Sequence, residues 1–298
     1  MRLLIASALL PSIAAAQEPW TLRHPAEARQ TGSFAERSLD ESSGLAASRK
    51  HPGVLWTVED SGNPAQLHAV DTTGRTLGTW RIEGARNADW EALALGPCGS
   101  EWCLHIADTG DNGARRDRVV IYRVREPDVA TGDRSHGRTG RRIARADVLA
   151  FRYPDGAHDV EALVVTPRED LLLVSKGRNE AVQTFRLRQP AWNADRTVVA
   201  ERLGQLELPR SGIADMVTDA ALHPDGRTLL VRTYVALYFL ELDDAGVPRP
   251  DRRHGCSILG LELQGEGVTW LDDATLALSS EAAYGVPGTI SRVRCPRP

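Results

Sequence analysis

The sequence predicts an all-β protein built from repeats. Short apolar runs recur along its 298 residues, and helical periodicity is nearly absent. The runs are rich in β-branched residues or alternate apolar with polar residues, and Gly, Pro, Asp and Asn bound them, which is typical of strands and turns. Five stretches share one plan of short strands. Four antiparallel strands per repeat are typical of the blades of a β-propeller.

Each repeat opens on two apolar runs that are joined by a turn. In chain order these pairs are SSGLAAS with GVLWTVEDSG, DWEALALG with CLHIADTGDN, DVEALVVT with DLLLVSKGRN, VTDAALHPDG with RTLLVRTYVA, and GEGVTWLDD with TLALSSEAAYG. The predicted third strands are QLHAVD, VVIYRV, VQTFRL, LYFLEL and TISRVR. The predicted fourth strands are LGTWRIEG, DVLAFRYPDG, VAERLGQLEL and SILGLELQG. No fourth run follows the last repeat.

The repeat spacing predicts how the ring closes. Equivalent positions at the openings of the first strands are Ser43, Glu91, Glu161, Thr218 and Glu266. They lie 48, 70, 57 and 48 residues apart, and the 33 residues from the last position onward are too few for a blade. Residues 20–42 supply a further 23, so we expect five blades, with the segment that includes GSFAERSL as the outer strand of the last blade. A ring closed in this way has no exposed edge. Six blades, one of them degenerate, is the alternative.

The long second spacing contains an arginine-rich segment, DVATGDRSHGRTGRRIARAD, at residues 128–147. Its arginines are Arg134, Arg138, Arg141, Arg142 and Arg145. We expect a solvated loop between the third and fourth strands of blade 2. The alternative is a contact surface for an acidic partner.

The first residues have the organisation of a secretory signal peptide. Arg2 precedes an apolar stretch at residues 3–13, which is followed by Ala14, Ala15 and Ala16. We expect residues 1–16 to be removed and residues 17–298 to form a single propeller domain in the periplasm or outside the cell. The apolar run is too short to span a bilayer, and no later run approaches about 18 residues. No cysteine follows the cleavage site, so we expect no lipid anchor.

The four cysteines fit an oxidising compartment. Cys98 and Cys103 bracket the sequence CGSEWC between two predicted strands, where opposite positions of a hairpin allow a disulfide. Cys256 and Cys295 are then left to pair with each other. A metal site is the weaker alternative, because the sequence has no C-x-x-C motif and no histidine at ligand spacing.

The charge of the mature chain argues against a nucleic-acid partner. With Arg2 removed, 35 basic residues stand against 40 acidic ones, which leaves a net charge of −5. Nucleic-acid binding usually needs a strongly basic face. We therefore expect a monomer without nucleic-acid partners or membrane insertion, acting on a small phosphorylated substrate or another ligand.

The opening positions of the five repeats predict a metal site. The first strand of each propeller blade lines the central channel, so equivalent positions form a ring. That ring contains Ser43, Glu91, Glu161, Thr218 and Glu266. Three carboxylates this close repel one another, so they take up protons or bind a cation. A set of oxygen donors suits Ca²⁺, whereas zinc prefers nitrogen or sulfur. The alternative is that each glutamate pairs with an arginine of the next blade or faces solvent.

The order Ser, Glu, Glu, hydroxyl, Glu at the openings of five blades resembles that of the calcium-activated nucleotidases, the secreted apyrases. This resemblance implies one Ca²⁺ on the axis of a five-bladed propeller and cleavage of nucleoside di- and triphosphates. The sequence LWTVEDSGN is similar to the family's acidic loop after the second strand of blade 1. Thr218 stands where the family has serine. The chain also resembles bacterial secreted propellers that are described as esterase-like or phytase-like.

The loops after the second strands open on the same side as the ring and carry the candidate catalytic residues. These candidates are Asp60, Asp111, Lys176, Arg178 and Arg232. Blades 1 and 2 bring acids, and blades 3 and 4 bring bases. In phosphoryl hydrolysis the bases hold phosphate oxygens, a metal spreads the charge, and Asp60 or Asp111 orients water. The alternative for the aspartates is turn capping.

Other catalytic motifs are absent from the sequence. There is no G-x-S-x-G elbow, P-loop, G-x-G-x-x-G or H-E-x-x-H. Two classes of function remain. One is a Ca²⁺-dependent hydrolase of phosphoanhydrides or phosphoesters. The other is a non-catalytic propeller that binds a protein, glycan or small ligand and contains Ca²⁺ as a structural pin, since propellers serve both purposes.

Overall fold

The computed structural model describes residues 20–35, 39–129, 142–209 and 212–296. These residues form five β-sheets, each with three or four main strands that run antiparallel in chain order. The first strands of neighbouring sheets contact one another around a central axis. The chain is therefore a five-bladed β-propeller, as the repeats predict, and the six-blade alternative is wrong.

The strands are numbered along the chain. The N-terminal strands are β1 (Leu22–Arg23) and β2 (Glu27–Ser33). Blade 1 contains β3 (Ser42–Ala47), β4 (Val54–Glu59), β5 (Gln66–Asp71) and β6 (Thr76–Glu83). Blade 2 contains β7 (Trp90–Cys98), β8 (Glu101–Asp108) and β9 (Val119–Arg125), and, after β10 (Arg142–Arg145), β11 (Asp147–Arg152). Blade 3 contains β12 (Val160–Val165), β13 (Leu171–Ser175) and β14 (Val182–Leu187), and, after β15 (Val198–Val199), β16 (Glu201–Leu206).

A short 3₁₀ turn, Ile213–Asp215, leads into the second part of the ring. Blade 4 contains β17 (Val217–Leu222), β18 (Thr228–Thr233), β19 (Ala236–Leu242) and β20 (Pro248–Ser257). Blade 5 contains β21 (Gly265–Trp270), β22 (Leu276–Ser280) and β23 (Thr289–Arg294). The five predicted third strands coincide with β5, β9, β14, β19 and β23 to within one residue.

The N-terminal segment closes the ring by completing blade 5. Strand β2 pairs antiparallel with β23, with Arg29 opposite Arg292 and Gln30 opposite Ser291. The predicted closure is therefore confirmed. The closing strand begins earlier than expected, however, because only Gly32 and Ser33 of GSFAERSL belong to it. The predicted signal peptide at residues 1–16 lies outside the described residues.

Three blades carry an extra strand that runs parallel to their outer edge. β10 pairs with β6, β15 with β11, and β1 with β20. The expectation of a loop over residues 128–147 is therefore wrong in part, because Arg142–Arg145 extends the sheet of blade 1. Residues 130–141 lie outside the described residues. A four-residue strand that pairs with the preceding blade has no local pattern that distinguishes it from a loop.

The predicted fourth strand of blade 4, SILGLELQG, is wrong. The observed strand β20 ends at Ser257, where the predicted run begins. The following segment turns at Gly260, which has a φ of 80°. Leu259 and Leu263 are 75% and 63% exposed there. The true strand was overlooked because its sequence, PRPDRRHGCS, is polar, as suits an outer strand.

The core lies between neighbouring blades. Trp56, Trp80 and Trp90, for example, pack between blades 1 and 2. The two predicted disulfides are confirmed: Cys98–Cys103 joins β7 to β8, and Cys256–Cys295 ties the end of β23 to blade 4. Disulfides are typical of proteins in oxidising compartments. Among the residues that the structure describes, no helix has the length and apolar character needed to cross a membrane.

Candidate metal centre at the mouth of the propeller

A β-bulge marks the same position in every first strand. Pairing with the second strand shifts register between Ser42 and Gly44 in blade 1, and equivalent shifts occur in the other four blades. The residues within these bulges include all five predicted ring residues, Ser43, Glu91, Glu161, Thr218 and Glu266. A bulge re-aims the side chain of its extra residue. All five are buried, with exposed fractions of 7% or less.

The ring lies at the end of the channel where first strands begin and second strands end. This end is called the mouth here. Its side chains, besides the ring, are Asp60, Asp89, Asp159, Lys176, Tyr234 and Glu281. Beyond the ring, the channel is lined by residues of the first strands, such as Leu45, Leu93 and Leu163, whose side chains are buried in the hydrophobic cores.

The carboxylates form two groups that share Glu91. One group is Asp60, Asp89 and Glu91, and the other is Glu91, Asp159 and Glu161. Within each group, one oxygen of every residue lies within 4.8 Å of the others. Oxygens that bind the same Ca²⁺ at about 2.4 Å are at most about 4.8 Å apart. The geometry therefore suits a cation between blades 1, 2 and 3.

Sequence reasoning missed two residues of these groups, Asp89 and Asp159. Both are the first acid of the repeated motif acid-x-Glu-Ala-Leu, in DWEAL and DVEAL. Residues two apart on an extended chain point to the same side. The repeated acid was therefore the signal that could have identified both aspartates.

The first acidic group lies against a glycine, and the second has an unused oxygen. A Cβ at Gly110 would lie 2.4 Å from Glu91 Oε1 and 2.6 Å from Asp89 Oδ2, so only glycine lets its loop approach these oxygens so closely. Asp159 Oδ1 accepts a hydrogen bond from the backbone N–H of Asp111 at 2.8 Å. Asp159 Oδ2 is buried without a hydrogen-bond partner. Buried polar atoms are normally satisfied, so this oxygen fits a role as a cation ligand.

Burial and mutual repulsion raise the pKa values of these carboxyl groups. Burial raises the pKa of Glu91 well above its usual range, and the charges of Glu161 and Asp60 raise it further. Burial raises the pKa of Glu161 to about 7. Burial, followed by the charge of Asp60, raises the pKa of Asp89 to about 6. Near neutral pH the mouth therefore holds protons that a divalent cation would displace.

The opposite side of the mouth is also acidic, but its carboxylates have protein partners. Burial and the charges of Glu281 and Glu161 raise the pKa of Glu266 well above its usual range. The hydroxyl of Tyr234 donates to Glu266 Oε1 at 3.3 Å. Burial raises the pKa of Glu281 to about 7, with Asp60 adding to the effect. Glu266 belongs to neither of the two acidic groups.

The two hydroxyl residues of the ring contact the backbone of the neighbouring blade. Ser43 Oγ donates to the carbonyl oxygen of Glu91 at 3.3 Å. Thr218 Oγ1 donates to the carbonyl oxygen of Glu266 at 3.2 Å. In the described structure these hydroxyls therefore link first strands across the ring.

Lys176 places a fixed positive charge in the mouth. Its Nζ donates to Glu161 Oε1 at 2.6 Å, and the side chain is buried. Burial alone would lower the pKa of this lysine, but the charges of Glu161 and Glu91 outweigh it and raise the pKa. Arg178, the second predicted base, is exposed and donates to Asn112 Oδ1 of blade 2 at 2.5 Å.

Arg232 does not lie on the open face, contrary to the sequence prediction. Its side chain is fully buried between blades 4 and 5, where it donates to the carbonyl oxygen of Ser279 at 3.0 Å. It also forms an ion pair with Glu262, whose side chain is only 3% exposed. A position near the end of a second strand does not reveal whether its side chain points into the mouth or between the blades.

Asp60 and Asp111 differ in their surroundings. Asp60 is half-buried at the rim and belongs to the first acidic group. Asp111 is 7% exposed, and its Oδ2 accepts the backbone N–H groups of Arg115 and Arg116, each at 2.6 Å. The carboxylate of Asp111 is thus engaged in capping its own loop.

No protein-family model and no curated protein matches this sequence. Solved structures are similar to most of the chain. The PQQ-bound aldose sugar dehydrogenase from Streptomyces coelicolor is 13% identical, with a TM-score of 0.47, and the match covers 91% of this chain and 99% of that one. The gluconolactonase XC5397 from Xanthomonas campestris is 15% identical, with a TM-score of 0.47 and coverage of 94% and 99%. Virginiamycin B lyase from Staphylococcus aureus is 12% identical, with a TM-score of 0.42 and coverage of 85% and 66%.

These identities and TM-scores are too low to transfer any chemistry to this chain. Its own strand pairing and side chains define the class to which it belongs. The chain is a five-bladed β-propeller, closed by its N-terminal strand, with two buried carboxylate groups at the mouth of its channel.

Proposed function

We propose that the mouth binds one Ca²⁺ through Asp89, Glu91, Asp159 and Glu161, with Asp60 at the rim. The observation that carries the proposal is the pair of acidic groups that share Glu91, each with one oxygen of every member within 4.8 Å of the others in that group. The unpartnered Asp159 Oδ2 supports it. Ser43, Thr218 and Glu266 complete the ring around this position.

The donor set favours Ca²⁺ among the biological cations. All the candidate ligands offer oxygen, which suits Ca²⁺ and Mg²⁺ more than zinc. Ca²⁺ accepts six to eight ligands in flexible geometry, whereas Mg²⁺ demands a near-ideal octahedron and keeps several waters. Carboxylates supplied by three different blades suit the larger and more tolerant ion.

We propose further that the mouth hydrolyses a phosphoanhydride or phosphoester. Bound Ca²⁺ would neutralise charge on phosphate oxygens. The ammonium of Lys176 is already held in the mouth by Glu161, so it can contact a phosphate without a large movement. Asp60 lies at the rim of the same acidic group, where its carboxylate can orient water. The resemblance of the ring to that of the secreted apyrases supports this reaction, and the two disulfides support a periplasmic or extracellular location.

Two observations favour a second candidate, a non-catalytic propeller in which Ca²⁺ is a structural pin. Arg232 is buried in an ion pair, and Asp111 caps its own loop. Two of the five expected catalytic residues are thus occupied by contacts within the protein. In this alternative the mouth would bind a ligand without changing it.

The test begins with the cation. Purified protein is dialysed against chelator, and its melting temperature is measured with and without millimolar Ca²⁺, together with its metal content. We expect Ca²⁺ to raise the melting temperature of the wild type. The Glu91→Gln variant should lose this response, and a Glu83→Gln variant, which changes an exposed glutamate on β6, should keep it. A wild type that melts identically in both conditions and contains no metal would refute the site.

The second step is a substrate screen with and without Ca²⁺. Nucleoside di- and triphosphates, phytate and simple phosphoesters are tested, with carboxylic esters as a separate class. Turnover of a phosphate compound that depends on Ca²⁺ and on Lys176 supports the hydrolase. Ca²⁺ binding without turnover of any compound supports the non-catalytic alternative.

A further inference from the structure

Large apolar side chains are exposed on one side of the mouth. The loops from fourth to first strands and from second to third strands open on this face. Five large apolar side chains are exposed, among the described residues, in the loops that lead into blades 4 and 5 and in the loop between the second and third strands of blade 5. They are Ile213 (73% exposed), Leu259 (75%), Leu263 (63%), Tyr284 (96%) and Val286 (47%), which together we name the apolar rim.

The corresponding loops of blades 1, 2 and 3 expose no large apolar side chain within the described part of the chain. The other exposed ones lie elsewhere, with Leu22 and Val199 on outer-edge strands and Trp102 at the start of β8. Scattered apolar residues are normal on a protein surface, but a group of them beside a charged cleft marks a binding surface. Within the described residues, the exposed apolar side chains of this face are therefore confined to the side of blades 4 and 5.

Tyr284 is held in a conformation that exposes its ring. Ala283 and Val286 exchange backbone hydrogen bonds of 3.0 and 2.9 Å around a two-residue turn. Tyr284 and Gly285 have φ angles of 52° and 80°, which is the pattern of a type I′ turn. Such a position favours asparagine or glycine, and a bulky residue is strained there. The turn therefore holds the ring of Tyr284 in solvent, where the residue is 96% exposed.

Two loops of the apolar rim are joined to each other and to the mouth. The backbone N–H of Glu281 donates to the carbonyl oxygen of Gln264 at 2.9 Å, which links the loops that carry Tyr284 and Leu263. The N–H of Ala282 donates to the carbonyl oxygen of Asp40 at 2.7 Å and ties the same loop to blade 1. Glu281 itself lies in the mouth, where burial and then the charge of Asp60 raise its pKa. The rim is therefore a continuous extension of the mouth.

We propose that the apolar rim binds the aromatic or aliphatic group of an organic phosphate whose phosphate lies in the mouth. This inference rests on the proposed function, because it assigns the substrate class of the same site. The phosphate is attracted by Lys176 and by the bound cation, and the rest of the molecule extends over the apolar rim. Tyr284 covers one face of the apolar group, and Leu263 supports it from the adjoining loop.

The test compares two phosphate-like compounds that differ in an apolar group. The affinities of phenylphosphonate, an analogue of phenyl phosphate without an ester bond to hydrolyse, and of inorganic phosphate for the Ca²⁺-loaded protein are measured by titration calorimetry. We expect the phenyl compound to bind about tenfold more tightly, because covering about 60 Å² of apolar surface is worth about one factor of ten. A double variant, Tyr284→Ser with Leu263→Ser, should lose this preference. Val199→Ser, which changes an exposed apolar residue far from the mouth, should retain it.

Each outcome separates the inference from the function on which it rests. Equal affinities for the two compounds, or an unchanged preference in the double variant, would overturn the inference and leave the proposed function intact. Failure of both compounds to bind a protein that does bind Ca²⁺ would refute the phosphate site, and the inference with it. Two further outcomes would also overturn the inference. Binding to phosphatidylglycerol vesicles that is lost in the double variant would assign the apolar rim to a lipid surface. Dimer formation that is lost in the double variant would assign it to a second copy of the chain.

Discussion

The two sides of the mouth are built on the same strands but carry different chemistry. On the side of blades 1 to 3, bulged first strands bring Glu91 and Glu161 together with Asp89 and Asp159. On the side of blades 4 and 5, the equivalent bulges hold Thr218 and Glu266, and the loops expose apolar side chains beside Glu281. The propeller repeat supplies equivalent positions, and the loops decide what each position binds.

The same contrast is seen in two buried basic residues, Lys176 and Arg232, which lie near the ends of second strands. Lys176 points into the mouth and pairs with Glu161, whereas Arg232 points between blades 4 and 5 and pairs with Glu262. Both were expected to hold phosphate. Their positions differ because one residue follows its strand and the other lies within it, where alternate side chains point to opposite faces.

The largest effect is expected from Arg232→Ala. Removing one partner of a buried ion pair leaves the other charge uncompensated, so we expect a loss of about 3–5 kcal/mol in the free energy of unfolding. Denaturant unfolding measures it. Arg188→Ala, which changes an exposed arginine, should leave the midpoint unchanged. If Arg232 served the mouth instead, its loss would weaken phosphate binding with little change in stability.

The next largest effect is expected from Glu91→Gln, since this residue belongs to both acidic groups. At a free Ca²⁺ concentration 100 times the dissociation constant, binding stabilises the wild type by about 2.7 kcal/mol. The variant should lose most of this stabilisation. Glu266→Gln, across the mouth, should lose less of it. Equal losses in the two variants would argue that the cation lies on the axis of the ring and not between blades 1 to 3.

A smaller effect is expected from Gly110→Ala. The added Cβ would lie 2.4 Å from Glu91 Oε1, so the ligand oxygens must shift, and we expect Ca²⁺ affinity to fall about tenfold. Gly113→Ala is the matched control in the same loop, because its Cβ would lie 3.3 Å from the flexible side chain of Arg115. Calorimetric titration with Ca²⁺ compares the two. Similar Ca²⁺ affinities of the two variants would show that the oxygens beside Gly110 do not bind the ion.

The smallest effect is a dependence on pH. The pKa values of Asp89 and Glu161 are raised to about 6 and about 7 in the folded protein. The metal-free fold is therefore more stable when these carboxyl groups are protonated, and this stabilisation is lost as the pH rises through that range. Deprotonation at the same time favours cation binding. The increase in melting temperature caused by Ca²⁺ should therefore be larger at pH 8 than at pH 5. An equal increase at both pH values would place the cation elsewhere.

The sequence by itself determined the fold of this protein and one half of its candidate site. Five repeats of apolar strands have a single way to bury their faces, which is a closed ring, and the number of residues left at the two ends required the N-terminal strand to complete blade 5. Glu91 and Glu161 were visible because the same motif recurs in two blades. The disulfides followed from the number and spacing of the cysteines.

Only the tertiary structure decided how the side chains are used. Arg142–Arg145 joins the sheet of the preceding blade, and Arg232 turns between blades, because pairing and burial depend on neighbours that are distant in sequence. The contact between Asp159 and Glu91 joins two blades, and the close approach of Gly110 to Asp89 and Glu91 depends on how the loops pack. Local sequence patterns specify strands, whereas the positions of charges around a mouth depend on packing between blades.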